Sequence, residues 1–178
     1  MVAKAMLELI CNHDKVLIMG HRFGDLDSVG SATGFCCAIR NMVKEAYVVV
    51  DPEQNLSKTL INYINENESE HYYITPQEGL ERLDDNTLLV VTDTHNPALV
   101  ESKEILARAK NVVVIDHHRR MVNGIEPTIM SFLAPNASSA CELVTALIEY
   151  FGEDSNITVH AAEALLAGIM LDTKNFIM

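Results

Sequence analysis

With 178 residues, 48% of them hydrophobic and 21% charged, the chain is long enough to bury one core and too apolar to be a disordered segment. Its 25 acidic residues against 13 basic give a net charge of -12, and no Lys/Arg run is longer than Arg119-Arg120; the basic stripe of a protein that tracks a long nucleic-acid backbone is missing, which favours a small phosphorylated substrate over a polymer. No uninterrupted apolar stretch approaches the roughly 18 residues of a membrane span, and Lys4 and Glu8 fall where a signal peptide needs an apolar core, so this segment is expected neither to be exported nor to enter a membrane by its own sequence.

Apolar positions at Met6, Leu7, Leu9 and Ile10 predict an opening helix from Val2 to Asn12. Lys15 to Met19 is the first strand. It discharges into Gly20-His21-Arg22-Phe23-Gly24-Asp25-Leu26-Asp27-Ser28, a strand-to-helix turn, and then into a helix from Ser28 to Val43. Gly30 and Gly34, four apart, lie on one face of that helix and suit close backbone packing. Ala46 to Asp51 reads as a second strand, Ser57 to Glu68 as a helix with Leu60, Ile61 and Ile64 at helical spacing, and Tyr72 to Thr75 as a short strand. Pro76 opens a brief helix. Thr87 to Thr92 is a stronger strand that ends at Asp93-Thr94-His95-Asn96-Pro97, with a helix expected from Ala98 to Ala109.

Asn111 to Ile115 is another apolar strand, running into Asp116-His117-His118-Arg119-Arg120, and Thr128 to Leu133 reads as one more. Ser139-Ala140-Cys141-Glu142 matches a capping box. The helix it opens has a buried stripe of Leu143, Val144, Leu147, Ile148 and Phe151 and stops at Gly152. A last helix, from Thr158, brings Leu165, Leu166, Ile169 and Met170 to the core and ends at Leu171-Asp172-Thr173. Strands alternating with helices predict an α/β fold with a largely parallel sheet and helices on both faces. Cys11, Cys36, Cys37 and Cys141 show no C-x-x-C spacing and read as small core residues in a reducing compartment.

Chemistry gathers at the strand ends. His21, Asp25 and Asp27 follow the first strand, Asp93 a central one, and Asp116, His117 and His118 another; in an open α/β sheet ligands bind outside those carboxyl ends. Taken alone, Asp27-Ser28 would read equally as a helix N-cap and Asp25 as a turn residue. Three strands converging on Asp or His make a metal or phosphoryl site the better reading. Carboxylates with a minority of imidazoles suit manganese or a similar octahedral ion, whereas a structural zinc site would lean on cysteine. Two His and four Asp exceed the needs of one ion, so two metals with one bridging Asp is the economical arrangement.

Gly20-His21-Arg22-Phe23-Gly24-Asp25-Leu26-Asp27-Ser28, Val91-Thr92-Asp93-Thr94-His95, Asp116-His117-His118 and Leu171-Asp172-Thr173 together resemble the four signatures of the DHH phosphoesterases. That family includes RecJ-type exonucleases, family II inorganic pyrophosphatases and cyclic dinucleotide phosphodiesterases. The wording Met-Gly-His-Arg-Phe, Asp-Thr-His and Leu-Asp-Thr-Lys-Asn-Phe is most similar to the GdpP-type cyclic-di-AMP phosphodiesterases. The resemblance implies that residues 1–178 form a DHH catalytic domain in which His21, Asp25 and Asp93 hold one Mn2+, and Asp27, Asp93, His117 and Asp172 a second. It implies that His118 contacts the reacting phosphate with Asp116 in support, and that a water acidified by both ions opens cyclic-di-AMP to linear pApA. A substrate-gripping DHHA1 domain in cis, absent here, and upstream segments tethering a cytoplasmic domain to the bacterial cell membrane are implied as well. Gly24 departs from the proline expected between Phe23 and Asp25, which would loosen the turn.

Two alternatives stay open at this stage: an exonuclease or oligoribonuclease acting on short linear nucleotides, and a metal-binding regulatory domain without turnover. A homodimer is left open too. His95 reads either as a substrate contact or as support behind the ligands, Ser139 as a plain cap or as part of a helix N-terminus holding phosphate oxygens, and Arg22, Arg119 and Arg120 as phosphate partners. His13, His71 and His160 have no partner at ligand spacing and read as structural or surface residues.

Overall fold

Six strands form one sheet in the computed structural model, which describes residues 2–42 and 44–177. They are β1 (Lys15–Met19), β2 (Glu45–Val49), β3 (Tyr73–Ile74), β4 (Thr87–Thr92), β5 (Asn111–Asp116) and β6 (Met130–Leu133). The order is β3-β2-β1-β4-β5-β6 and every pair is parallel. The chain winds outward from β1 to β3, returns to lay β4 against the other side of β1, and winds on to β6. The reversal between β1 and β4 opens a crevice at their carboxyl ends, the place where such sheets take ligands.

The helices are α1 (Val2–Asn12), α2 (Leu26–Asn41), α3 (Lys58–Asn67), α4 (Pro76–Arg82), α5 (Lys103–Arg108), α6 (Ala140–Phe151) and α7 (Val159–Asp172). Alternate residues of the central strands feed two cores. Val16, Ile18, Leu88, Val90, Val113 and Ile115 face α1, α2, α6 and α7. Leu17, Met19, Leu89, Val91, Val112 and Val114 face the opposite layer, where Leu80 of α4 and Ile105 of α5 pack. Burial on both faces is why these strands read as continuous apolar runs.

α2 packs on α7 through small residues. A Cβ on Gly30 would lie 2.3 Å from the Ala164 carbonyl oxygen, and one on Gly34 would enter the Leu165 side chain at 2.5 Å. The close approach expected of this glycine pair is therefore made, against the last helix.

Four expectations need correction. α5 begins at Lys103 and not near Ala98, because Pro97–Leu99 form a turn and Val100 bridges antiparallel to His21; Leu99 O accepts from Arg22 N and Glu101 N donates to Gly20 O, so this segment is used to hold the β1 turn. α7 buries Ala161, Ala164, Leu165 and Gly168, while Leu166 and Met170 are 48% and 38% exposed, since the face that meets α2 carries Ala164 and Leu165, for which Gly30 and Gly34 make room. At α6, Ser139 Oγ accepts from Glu142 N at 3.0 Å, but the Glu142 carboxylate turns back to Ser138 N and Oγ at 2.7 and 2.6 Å, so the reciprocal half of the capping box is absent. Cys11 is exposed; the other three cysteines are buried. α2 ends at Asn41, with Met42 as its cap, and Val43, the expected last residue, lies outside the described residues.

Candidate metal centre

The turn after β1 is drawn tight by Ser28. Its hydroxyl accepts from His21 N at 3.1 Å and occupies the space, 1.9 Å away, where any Cβ on Gly20 would sit. Asp25, not Asp27, caps α2: its Oδ1 accepts from the amides of Asp27 and Ser28, both at 3.1 Å. His21 Nδ1 lies 3.0 Å from the Arg22 carbonyl, which can only accept, so Nδ1 carries a proton and, in the neutral ring that a metal requires, Nε2 holds the lone pair facing the site. Nε2 is 3.7 Å from Asp25 Oδ1 and 3.4 Å from Asp93 Oδ2.

Asp27 is 1% exposed, and its carboxylate is held by the first turn of α6: Oδ2 accepts from Ala140 N at 2.7 Å and Oδ1 from Cys141 N at 2.9 Å. The positive end of the helix dipole favours an anion at this position. Gly168 of α7 completes the arrangement, because a Cβ there would meet Cys141 Sγ at 2.4 Å and Asp27 Cα at 2.8 Å. Its bareness lets α7 lie on Asp27 and carries Asp172, at the end of that helix, into the site.

Asp93 stands at the end of β4 with φ 60°, a left-handed conformation that costs a non-glycine residue on the order of 1 kcal/mol or more. The kink turns both carboxylate oxygens toward imidazoles: Oδ2 toward His21, Oδ1 toward His117 Nε2 at 3.4 Å. His117 Nε2 also lies 3.7 Å from Asp27 Oδ2 and 3.2 Å from Asp172 Oδ2. Yet Asp93 Oδ1 and His117 Nε2 are both buried without a hydrogen-bond partner among the described residues.

Beside them, Asp116 is fully buried. Its Oδ1 accepts from His118 N at 3.1 Å and lies 2.8 Å from His118 Nδ1, and its Oδ2 lies 2.5 Å from His95 Nδ1.

Electrostatics follow from this crowding. Burial and the facing Asp93 carboxylate push Asp27 up to about 7 in spite of its two amide bonds, and burial followed by Asp93 also raises Asp172. Burial opposes charge on His21, but the facing Asp25 and Asp93 carboxylates outweigh it and raise its pKa to about 10. Asp93, ahead of an opposing burial effect, lifts His117 to about 9. Burial would raise Asp116, yet the bonds from His118 and His95 hold it at about 2.

Carboxylates pressed together, with two buried polar atoms facing each other unpaired, are what a cation site looks like before the cation is counted. His21, Asp25 and Asp93 can present one atom each within 4.8 Å of one another, and so can Asp27, His117 and Asp172. The donor set is carboxylate and imidazole with no thiolate, which fits a hard or borderline divalent ion.

A cleft of about 560 Å3 opens over the group, lined by His21, Asp25, Asp93, His95, His118, Arg119 and Asp172, with Leu99 and Met121 on its apolar side. Of the other residues singled out in the sequence, Ser139 is fully buried and spends its hydroxyl capping α6, whose first amides are taken by Asp27. Arg22 stacks over the Phe23 ring at 5.1 Å, and Arg120 lines a neighbouring hollow. His13 Nδ1 lies 2.7 Å from Leu9 O, His160 pairs with Glu68, and His71 is exposed. Sequence reasoning missed Gly168, the amides of Ala140 and Cys141, and the Leu99–Glu101 latch. Only Gly168 left a signal, the small-residue spacing Ala161, Ala164, Gly168 on one helical face.

A model of the DHH family, N-terminal domain, matches residues 15–169. The cyclic-di-AMP phosphodiesterase GdpP of Geobacillus thermodenitrificans is 41% identical over 178 residues, which cover 98% of this chain and 27% of that protein; the chain thus spans about a quarter of the length of this curated relative. The crystal structure of an exopolyphosphatase-related protein from Bacteroides fragilis matches with a TM-score of 0.77 at 22% identity, over 98% of this chain and 51% of that one. RecJ in complex with Mn2+ from Thermus thermophilus matches with a TM-score of 0.54 at 16% identity, over 96% of this chain and 23% of that one. The two structural likenesses speak for the fold alone, whereas the family model takes in the signature turn after β1, the ends of β4 and β5 and most of α7: the chain belongs to the DHH family and comprises its N-terminal domain.

Proposed function

We propose that this chain is the catalytic domain of a manganese-dependent phosphodiesterase that opens cyclic-di-AMP to linear pApA. The observation that carries the reading is the pair of buried, unpaired atoms, Asp93 Oδ1 and His117 Nε2, at the centre of a six-residue carboxylate and imidazole cluster. His21, Asp25 and Asp93 would hold one ion, and Asp27, Asp93, His117 and Asp172 the other, with Asp93 shared. Divalent cations held there supply Lewis acidity toward phosphoryl oxygens and lower the pKa of water.

The chain's own groups do the rest. His118 Nδ1 is tied to Asp116, so Nε2 is the ring nitrogen free to hydrogen-bond a phosphoryl oxygen as charge develops on it. Asp116 keeps that imidazole oriented and favours its charged form. Arg119 is exposed and lines the cleft; in this reading it would pair with the second phosphate of a dinucleotide. The 41% identity to a cyclic-di-AMP phosphodiesterase supports the choice of substrate, and the net charge of -12 disfavours a long polymer. In this reading a further domain in cis grips the base and the remote phosphate.

The test is to give the full-length protein manganese and, separately, cyclic-di-AMP and linear dinucleotides. Conversion of cyclic-di-AMP to pApA is expected. Hydrolysis of linear substrates alone would replace the reading with that of an oligoribonuclease, and binding of two ions without turnover would replace it with a regulatory domain.

A further inference from the structure

We infer that His95 is a positioning residue, which orients His118 through Asp116 and fastens the loop bearing Arg119 and Met121 beside the cleft. His95 is 4% exposed, and both of its ring nitrogens are spent. Nε2 lies 2.9 Å from Met121 N, an amide that can only donate, so Nε2 carries the lone pair and the proton sits on Nδ1. That Nδ1–H donates to Asp116 Oδ2 at 2.5 Å. Asp116 Oδ1 in turn receives both N–H groups of His118, backbone and Nδ1.

The Met121 amide therefore sets the tautomer of His95, and His95 and Asp116 together set the orientation of His118, with Nε2 left as its only uncommitted nitrogen. The backbone of His95 adds a second fastening. Its carbonyl accepts from Ile125 N at 2.8 Å, and Gly124 lies against the ring, where a Cβ would come within 3.3 Å of Cδ2. Both ends of the Met121–Ile125 segment are thus tied to one residue. A substrate finds no free donor or acceptor on its ring.

The two ring bonds can be separated by substitution. An asparagine amide nitrogen falls near Nδ1 of the histidine it replaces, so His95→Asn keeps the donor to Asp116 and loses the acceptor for Met121 N. His95→Gln places its carbonyl near Nε2, keeps that acceptor and loses the donor. With manganese and a generic phosphodiester, His95→Gln is expected to lose about tenfold in kcat, with a smaller change in KM. His95→Asn is expected to act mainly on KM, through the loosened loop.

The kinetic arm rests on the phosphodiesterase reading; the tautomer does not. In the metal-free wild-type chain, 15N NMR of the imidazoles should report a proton on Nδ1 of His95 and Nε2 as the acceptor. An Nε2–H form, a ring that exchanges freely between tautomers, or equal losses of kcat and KM in both variants would overturn the assignment. Should the wild type hydrolyse neither cyclic-di-AMP nor the generic diester, the function fails and the NMR result alone decides the role of His95.

Discussion

Adding one methyl group at Gly168 should separate the two carboxylates that share an ion. The Cβ of Gly168→Ala would lie 2.4 Å from Cys141 Sγ, 2.8 Å from Asp27 Cα and 2.9 Å from Leu26 O. Sulfur can rotate away, but the other two contacts are backbone of the α2 first turn, so α7 must move outward. Overpacking of this kind costs up to about 3 kcal/mol, and the better helix propensity of alanine returns about 1 kcal/mol, leaving a loss of about 2 kcal/mol. For a domain of this size that lowers Tm by about 4–8 °C. Because Asp172 rides on α7 while Asp27 is fixed to α6, Mn2+ affinity should fall as well. Thermal melts of the metal-free protein and calorimetric Mn2+ titration test both effects. A Tm at or above that of the wild type, as glycine-to-alanine gives in an open helix, would refute the packing argument.

Asp93→Ala should remove the shared carboxylate and abolish binding of both ions, whereas Asp25→Ala should weaken one; retention of two bound Mn2+ by Asp93→Ala in a titration would show that the bridge is misassigned. His118→Ala should keep both ions and lose mainly kcat, which metal stoichiometry measured beside steady-state kinetics will reveal. The folded pKa values of His21 and His117, about 10 and 9, lie above the unfolded value of 6.5, so their contribution to metal-free stability is complete below about pH 6.5 and is lost as pH rises through 9 to 10. Asp27, raised to about 7, adds a further loss as it ionises. Metal binding requires the deprotonated forms, so the Tm gain on adding Mn2+ should widen from pH 6 to pH 9; a gain that narrows would contradict these shifts.

The sequence by itself determined the sheet and named the acidic and imidazole residues that gather at its carboxyl edge. β1, β4 and β5 are buried on both faces, so their composition announces them without a partner. His21, Asp25, Asp27, Asp93, His117 and Asp172 stand at element ends, where a polar residue after an apolar run is conspicuous. What only the tertiary structure decided were the matters of who faces whom. Leu166 and Met170 have the spacing of a buried stripe, yet α7 turns Ala161, Ala164, Leu165 and Gly168 inward because α2 presents Gly30 and Gly34 to it. The N-terminus of α6 looks free for a phosphate, yet Asp27 takes its amides across 113 and 114 residues of chain. Leu99 to Glu101 carry no helix breaker, yet they are spent latching the turn after β1. Local pattern records what a residue prefers beside its sequence neighbours; a contact formed only when distant elements close on each other leaves no trace in that pattern until both sides are in place.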